Sequence, residues 1–295
     1  MAPMVEPFFR DLGDSAFKHR LGGSPAAGVY RFRPSGPEQR DSMTTRAVAD
    51  RVQEIYGENL VADAGVVQVS SGWEDADSDL HGIRIGPSAP RSSTDEFVLG
   101  LARARADVVV TTGKILRQEP DLQYRLSEAA DLNLAAWRHD QLRRRTPAEI
   151  LILTSGQDLD WDHPIFGGVS SVSLFMGTDA AASEMVASRP PGVRVIPDSA
   201  PSLQSLLQFL RARTDVGTIS LEVGPSTAGS LYRRPGWIQE WMLSVYLAVS
   251  LPKAVMSGLW PNAAARAAAG LSLKSEHIQE EESGTWAFQR FQALG

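Results

Sequence analysis

The sequence contains no cysteine, which excludes disulfide staples, a thiolate nucleophile and any cysteine-ligated zinc site. Histidine is scarce: His19, His81, His139, His163 and His277 are scattered, without the close spacing that two metal ligands on one element need. No metal site is expected. No apolar run approaches the ~18 residues of a membrane-crossing helix. The opening residues, MAPMVEPFFRDLGD, carry acids where a secretion signal needs cations followed by an apolar stretch, and the expected location is the cytoplasm. Excess positive charge is also missing: the formal net charge is -6, which gives no global attraction to nucleic acid or to an anionic membrane. Neither is expected as a partner.

What is present is 295 residues, 43% hydrophobic and 22% charged, enough for one large globular domain with an extension. The chain divides near residue 45. Residues 1–44 read as an N-terminal extension and flexible linker, because LGGSPAAGVYRFRPSGPEQRDS (21–42) cannot bury enough apolar surface to offset its ordering entropy. Phe8, Phe9 and Phe17 precede that linker and are candidates to dock on the body or on a neighbouring subunit. Residues 45–295 read as one domain.

In that domain, helical and strand-like segments alternate. TTRAVADRVQEIYG sets Val48, Val52 and Ile55 at helical spacing and stops at Gly57. GVVQVSS (65–71) is a strand. STDEFVLGLARARA opens with an N-cap at Ser93 or Thr94, with Glu96 close behind. It leads into DVVVTTG (107–113), a β-branched run suited to a buried parallel strand. EILILTSG (149–156), VSLFMGTDAA (172–181) and TISLEVG repeat the pattern, and PSLQSLLQFLRAR puts Leu203, Leu206, Leu207 and Leu210 on one stripe. The rhythm is that of βαβ units, an α/β fold with a mostly parallel central sheet. WIQEWMLSVYLAVSLPKAV reads as one long strand, and GLSLKSEHIQEEESGTWAFQRF as a hairpin closed at 282–284. Antiparallel C-terminal strands therefore complete the sheet.

The turn LEVGPSTAGSLY (221–232) is a strand that stops at Gly-Pro before a cluster of small hydroxyl residues. In open α/β sheets, ligands sit beyond the carboxyl ends of strands, where helix N-termini offer free N–H groups. Gly224 lets the backbone approach an anion, Pro225 fixes the turn, and Ser226 and Thr227 are candidate helix caps and hydroxyl donors. A strand-to-helix turn needs the same residues for purely structural reasons.

The order of LARARADVVVTTGKILRQEP, EILILTSG, VSLFMGTDAA, LEVGPSTAGSLY and WIQEWMLSVYLA resembles the dihydrofolate-reductase-like domain of riboflavin biosynthesis, the RibD C-terminal family. The likeness spans roughly residues 60–292. In it, Arg103 to Asp107 correspond to the family's Arg-x-x-(Ala)-Asp, Arg117 and Glu119 to its Arg-x-Glu, and Glu222 to Pro225 to its Glu-Gly-Gly-Pro. The resemblance implies a three-layer fold, usually a homodimer, and an NADPH-dependent reductase acting on a pyrimidine or pterin-like heterocycle. It places Thr112, Gly113 and Lys114 along the nicotinamide, Thr154 and Ser155 at the adenosine ribose and its 2′-phosphate, and Gly177 and Thr178 beside the adenine. Gly224, Pro225, Ser226 and Thr227 would hold the pyrophosphate. Ser70, Ser71 and Glu119 fall on the substrate side. Hydride chemistry belongs to the cofactor, so no catalytic triad is expected, and no catalytic residue is assigned.

Three departures stand out. The family's Ser-Leu-Asp-Gly becomes VSSGWEDADSDLHG, with Glu74, Asp75 and Asp77 as replacement acids or as solvated surface. Its Gly-x-Gly-Thr turn is Thr112-Gly113-Lys114-Ile115, in which Lys114 either obstructs the nicotinamide or meets a phosphate. Val223 replaces a glycine, which alters the turn if positive φ is required there. The zinc deaminase domain that often accompanies the family is excluded by the absence of cysteine. Trp137-Arg138-His139 with Arg143 to Arg145 reads as a solvated basic helix face or a phosphate grip, Trp237, Trp241 and Tyr246 as core or interface packing, and His163 as a surface loop residue or a general acid. Alternatives stay open: a reductase-like nucleotide-binding or scaffold protein without turnover, or a different α/β enzyme such as a nucleotide-dependent transferase.

Overall fold

The computed structural model describes residues 37–294, apart from 85, 87, 125–127, 130, 131 and 158. Phe8, Phe9 and Phe17 lie outside the described residues. Helix α1 (Pro37–Tyr56) starts inside the stretch whose composition reads as linker, ahead of residue 45. It buries Val48, Val52 and Ile55 and ends at Gly57, whose φ of 72° suits a residue without Cβ.

Strand β1 (Gly65–Glu74) folds back into β2 (Leu80–Ile83). Asp75 builds the turn between them: one carboxylate oxygen accepts the N–H groups of Asp77 and Asp79, and the other meets His81 Nε2 at 2.9 Å. Helix α2 (Ser93–Arg105) is capped by Ser92, not by Ser93 or Thr94. The reason is long-range: Glu281 takes the Ser93 and Thr94 N–H groups, and Ser92 Oγ accepts from Asp95 N at 2.8 Å. Replacing Ser92 with alanine should therefore cost about 1 kcal/mol, read as a lower urea midpoint at unchanged slope.

Strand β3 (Val108–Thr112) leads into α3 (Gly113–Gln118), the short antiparallel pair β4 (Glu128–Ala129) and β5 (Leu132–Asn133), and then α4 (Leu134–Leu142). Next come β6 (Glu149–Leu153), β7 (Val172–Gly177), α5 (Thr178–Ala181), α6 (Glu184–Ala187) and β8 (Arg194–Asp198). Helix α7 (Leu203–Arg211), β9 (Thr218–Leu221) and α8 (Pro225–Ala228) precede β10 (Glu240–Tyr246) and β11 (Met256–Leu259). Helix α9 (Ala263–Ala268) and the hairpin β12 (Leu271–Glu281) with β13 (Gly284–Ala293) close the chain.

The main sheet runs β12-β13-β10-β1-β9-β3-β6-β7-β8, with β2 and β11 attached beside β1. From β10 to β8 every neighbour is parallel, whereas β13 and β12 add antiparallel strands at the C-terminal edge. Alternation along β1 separates the layers. Val66 joins the α7 leucines in one core, and Val67 and Val69 join the α1 and α2 side chains in another. The expected three-layer α/β fold, mostly parallel with antiparallel C-terminal strands, is the observed one.

Two elements differ from the periodicity. The stretch 237–255 is not one strand: β10 stops at Tyr246, a 3-10 turn follows Pro252, and β11 leaves to pair with β2. Proline carries no N–H for a ladder. Conversely, GVRVIPDS hides strand β8, which tolerates Pro197 because it is an edge. The basic segment is a solvated face only in part: His139, Arg143 and Arg145 are exposed, but the rest is not. Trp137 is 0% exposed and Arg138 5%. The Arg138 guanidinium donates to the carbonyls of Ala104, Ala106 and Thr146, and Arg144 donates to the Arg105 carbonyl while pairing with Asp63 and Asp107.

Candidate functional site

The C-terminal half of β1 and the segments that follow β3 and β9 converge at a cavity of about 170 Å³. Helix α2 supplies one wall, because Asp95, Leu99 and Arg103 recur every four residues on one face and all three line the cavity. Ser71, near the end of β1, donates its hydroxyl to the Asp95 carboxylate at 2.9 Å. Burial raises the Asp95 pKa, and the Ser71 bond offsets only part of that. Ser70 accepts from the buried Trp241 indole at 2.7 Å, so Trp241 is core packing that also orients the site.

Arg103 forms a two-pronged pair with Glu222 at the end of β9, at 2.9 and 2.6 Å. The Tyr124 ring lies 4.3 Å from that guanidinium carbon. Glu119, just past α3, faces the same cavity. Its pKa is pushed up to about 7, first by burial and then by the Glu222 charge, with Arg103 opposing. A carboxyl shifted this way by burial and a named charge partner, facing a cavity, is a candidate functional group. His163 is buried: its Nδ1 accepts from Ile165 N, and its Nε2 meets the Glu119 carbonyl at 3.1 Å. A backbone clamp next to Glu119 replaces both the surface and the general-acid readings of this histidine.

A second cleft, of about 310 Å³, runs along the ends of β3 and β6 and is lined by Thr112, Gly113, Lys114, Arg117, Thr154, Ser155 and Thr227, among others. Glycine is required at 113 because a Cβ there would stand 2.7 Å from Thr154 Oγ1. Thr112 Oγ1 accepts from Ile115 N to start α3, and Thr154 Oγ1 accepts from Gly156 N, so each hydroxyl keeps its proton for a ligand. Lys114 is exposed and does not fill the cleft.

Gly224 and Pro225 border the cavity and Thr227 borders the cleft, so the short α8 joins the two. The N-cap of α8 is Gly224, with no side-chain cap bond, which corrects the expectation that Ser226 or Thr227 caps it. A Cβ at Gly224 would meet nothing within 4 Å. Val223 is buried, and positive φ occurs among non-glycine described residues only at Leu60, Ser78 and Arg143, so this turn does not need the glycine that Val223 replaces.

The structure thus brings Thr112, Gly113, Lys114, Thr154, Ser155 and Thr227 together, and Ser70, Ser71 and Glu119 around the adjoining cavity. Ser226 lies within α8, and Gly177 and Thr178 lie where β7 meets α5; none of the three lines either space. Glu74, Asp75 and Asp77 sit at the β1–β2 turn, outside the cavity lining. Asp95, Arg103, Tyr124 and Glu222 were not assigned to the site by sequence reasoning. The four-residue spacing of Asp95, Leu99 and Arg103 was the available signal. Among the described residues, no cluster of three metal-ligating side chains occurs and no helix is long and apolar enough to cross a membrane.

A parallel sheet with a cleft and cavity across its carboxyl ends, closed by an antiparallel C-terminal edge, defines the dihydrofolate-reductase-like fold of RibD-type domains. Solved structures share that fold. A pyrimidine reductase-like protein from Corynebacterium diphtheriae matches at TM-score 0.58 and 20% identity, over 83% of this chain and 99% of that one. RibD from Acinetobacter baumannii matches at TM-score 0.53 and 14% identity, over 80% of this chain. The match spans 60% of the RibD chain. No family model matches the sequence, and no curated protein matches it.

Proposed function

We propose that the chain is an NADPH-dependent reductase that reduces a riboflavin-type pyrimidine or pterin-like heterocycle. The observation that carries this reading is the junction at Gly224 of two spaces of opposite character. One is a threonine-rich cleft with Lys114 and Arg117 and no carboxylate in its described lining; the other is a cavity walled by Asp95, Glu119 and Glu222. The residues present suit a dinucleotide. Open space above Gly224 leaves room for a pyrophosphate, and Lys114 and Arg117 supply charge for phosphates.

In this reading Gly224 to Thr227 hold the pyrophosphate, and Thr112, Gly113 and Lys114 flank the nicotinamide. Thr154 and Ser155 meet the adenosine ribose and 2′-phosphate, with Arg117 alongside, and Gly177 and Thr178 approach the adenine. When bound, NADPH supplies a hydride. Val69, Leu99 and Trp260 exclude water from the cavity, and Asp95 with Ser71 orients the polar edge of the heterocycle. Reduction of a C=N or C=O bond also needs a proton, and Glu119 holds one near neutrality.

The sign of the pH dependence follows. Glu119 is protonated below about pH 7 and loses its proton as the pH rises through that value, so kcat/KM should decline on the alkaline side. Glu119→Gln should lower kcat/KM by roughly 100-fold and abolish that decline. An unchanged pH profile in the variant would remove Glu119 as the proton source.

The reading is tested by titrating the protein with NADPH, NADH and NADP⁺, followed by tryptophan quenching and thermal unfolding. NADPH at 100 times its Kd should stabilise the fold by ~2.7 kcal/mol, with NADH weaker. No shift at millimolar NADPH would sink the proposal.

A further inference from the structure

A third space, of about 480 Å³, shares the Arg103 and Tyr124 wall with the acid-lined cavity but has the opposite charge. Its described lining holds four arginines and His139, and no aspartate or glutamate, in a chain whose net charge is -6. Two of those arginines are already answered: Arg103 by Glu222, and Arg144 by Asp63 and Asp107. The other two are not.

Arg138 is 5% exposed: its Nε and Nη1 donate to three backbone carbonyls, and among the described residues no carboxylate pairs with it. Burial, and then the Arg144 charge, lower its pKa to about 10 against the pull of Asp107. Carbonyl dipoles compensate a buried guanidinium only in part, and a cation in this state gains strongly from an anion placed beside it. Arg145, on the rim, is exposed and forms no ion pair among the described residues. Val109 of β3 and Ile150 of β6 add an apolar floor next to the Tyr124 ring. The volume falls within the range of about 300–1,000 Å³ that small-molecule sites occupy.

We propose that this basic cavity is a second binding site, for a planar anionic small molecule of about mononucleotide size, whose carboxylate or phosphate is recognised by Arg138 and Arg145 while its flat body rests on Val109 and Ile150. The site is separate from the cleft and cavity of the proposed reductase reaction and does not depend on that reading.

The test uses the fluorescent anion 8-anilinonaphthalene-1-sulfonate on the full chain. The dye should bind saturably, and 1-naphthoate and phenyl phosphate should displace it, whereas 1-naphthylmethylamine, with a similar flat body and a positive charge, should not. Arg145→Glu should weaken binding about tenfold or more, and Ala148→Trp, which fills the space, should remove it. Lys114→Glu, in the other cleft, should bind as the unmodified chain does. Arg145 is exposed, so its variant decides the matter even if Ala148→Trp fails to fold. Equal displacement by the amine, undiminished binding in Arg145→Glu, or loss of binding in Lys114→Glu alone would each overturn the proposal, as would failure of the unmodified chain to bind the dye.

Discussion

Replacing Glu240 with alanine is expected to cost about 3–5 kcal/mol of folding stability, which would leave little of a typical domain's margin. Glu240 opens β10 and is 2% exposed, between Arg105 at the end of α2 and Arg290 of β13. Its carboxylate receives Arg105 at 2.5 Å and Arg290 at 3.0 Å. Both guanidiniums are themselves buried, and the Nε of each already lacks a partner. Removing the carboxylate would strand the Arg105 cation and leave Arg290 with only the half-exposed Glu58. Burial pushes the Glu240 pKa up, but the charges and hydrogen bonds of Arg105 and Arg290 outweigh it, and the net shift is downward. A depressed carboxyl pKa means stability that is present above the ordinary glutamate range and is lost as the pH falls. Urea unfolding should therefore show the gap between Glu240→Ala and the unmodified chain narrowing in acid. The triple variant Glu240→Leu, Arg105→Met, Arg290→Met should recover much of the loss, because the one carboxylate that then loses its partner, Glu58, is half exposed and stays hydrated. A single variant as stable as the unmodified chain at neutral pH would show that the triad contributes nothing.

This triad also illustrates what was legible in the sequence and what was not. Strands β3, β6, β7 and β9 were readable because each is a short apolar run buried on both faces, and their order with the Gly224 turn carried the fold. Residues that meet only through the fold were unreadable. Glu222 and Arg103 lie 119 residues apart, and Glu240 and Arg105 lie 135 apart; in the linear chain nothing marks either pair as partners. The same blindness misread Arg138, whose partners are carbonyls and carry no sequence signal, and His163, buried against one carbonyl. Strand β8 escaped because Pro197 argues against a strand anywhere except at an edge. Thr112, Gly113, Thr154 and Thr227, named through the family resemblance, do line one cleft, at strand-end turns of the kind that need small and hydroxyl residues. Of the cavity's carboxylates only Glu119 was placed there, through its Arg-x-Glu motif; Asp95 and Glu222 were not, because they come from a helix face and a strand end.

Gly224→Val separates the candidate cradle from the scaffold. The backbone at Gly224 is extended, with φ -72° and ψ 167°, so a β-branched residue is tolerated there. A Cβ meets nothing within 4 Å, and the fold should change in stability by only about 0.5 kcal/mol or less. The open space is, however, what a phosphate would use. Two added methyl groups on the valine Cβ would occupy it and block backbone approach at the start of α8, costing about 3 kcal/mol of NADPH affinity, or roughly 100-fold. Gly224→Ala, with one carbon, should fall between. The measurement is NADPH titration by tryptophan quenching on variants whose circular dichroism and melting temperature match the unmodified chain. Native-like Gly224→Val with undiminished NADPH affinity would move the pyrophosphate away from α8. A graded loss from glycine through alanine to valine, with the fold intact, is the pattern that direct steric exclusion at a cradle produces and that a distant packing effect does not.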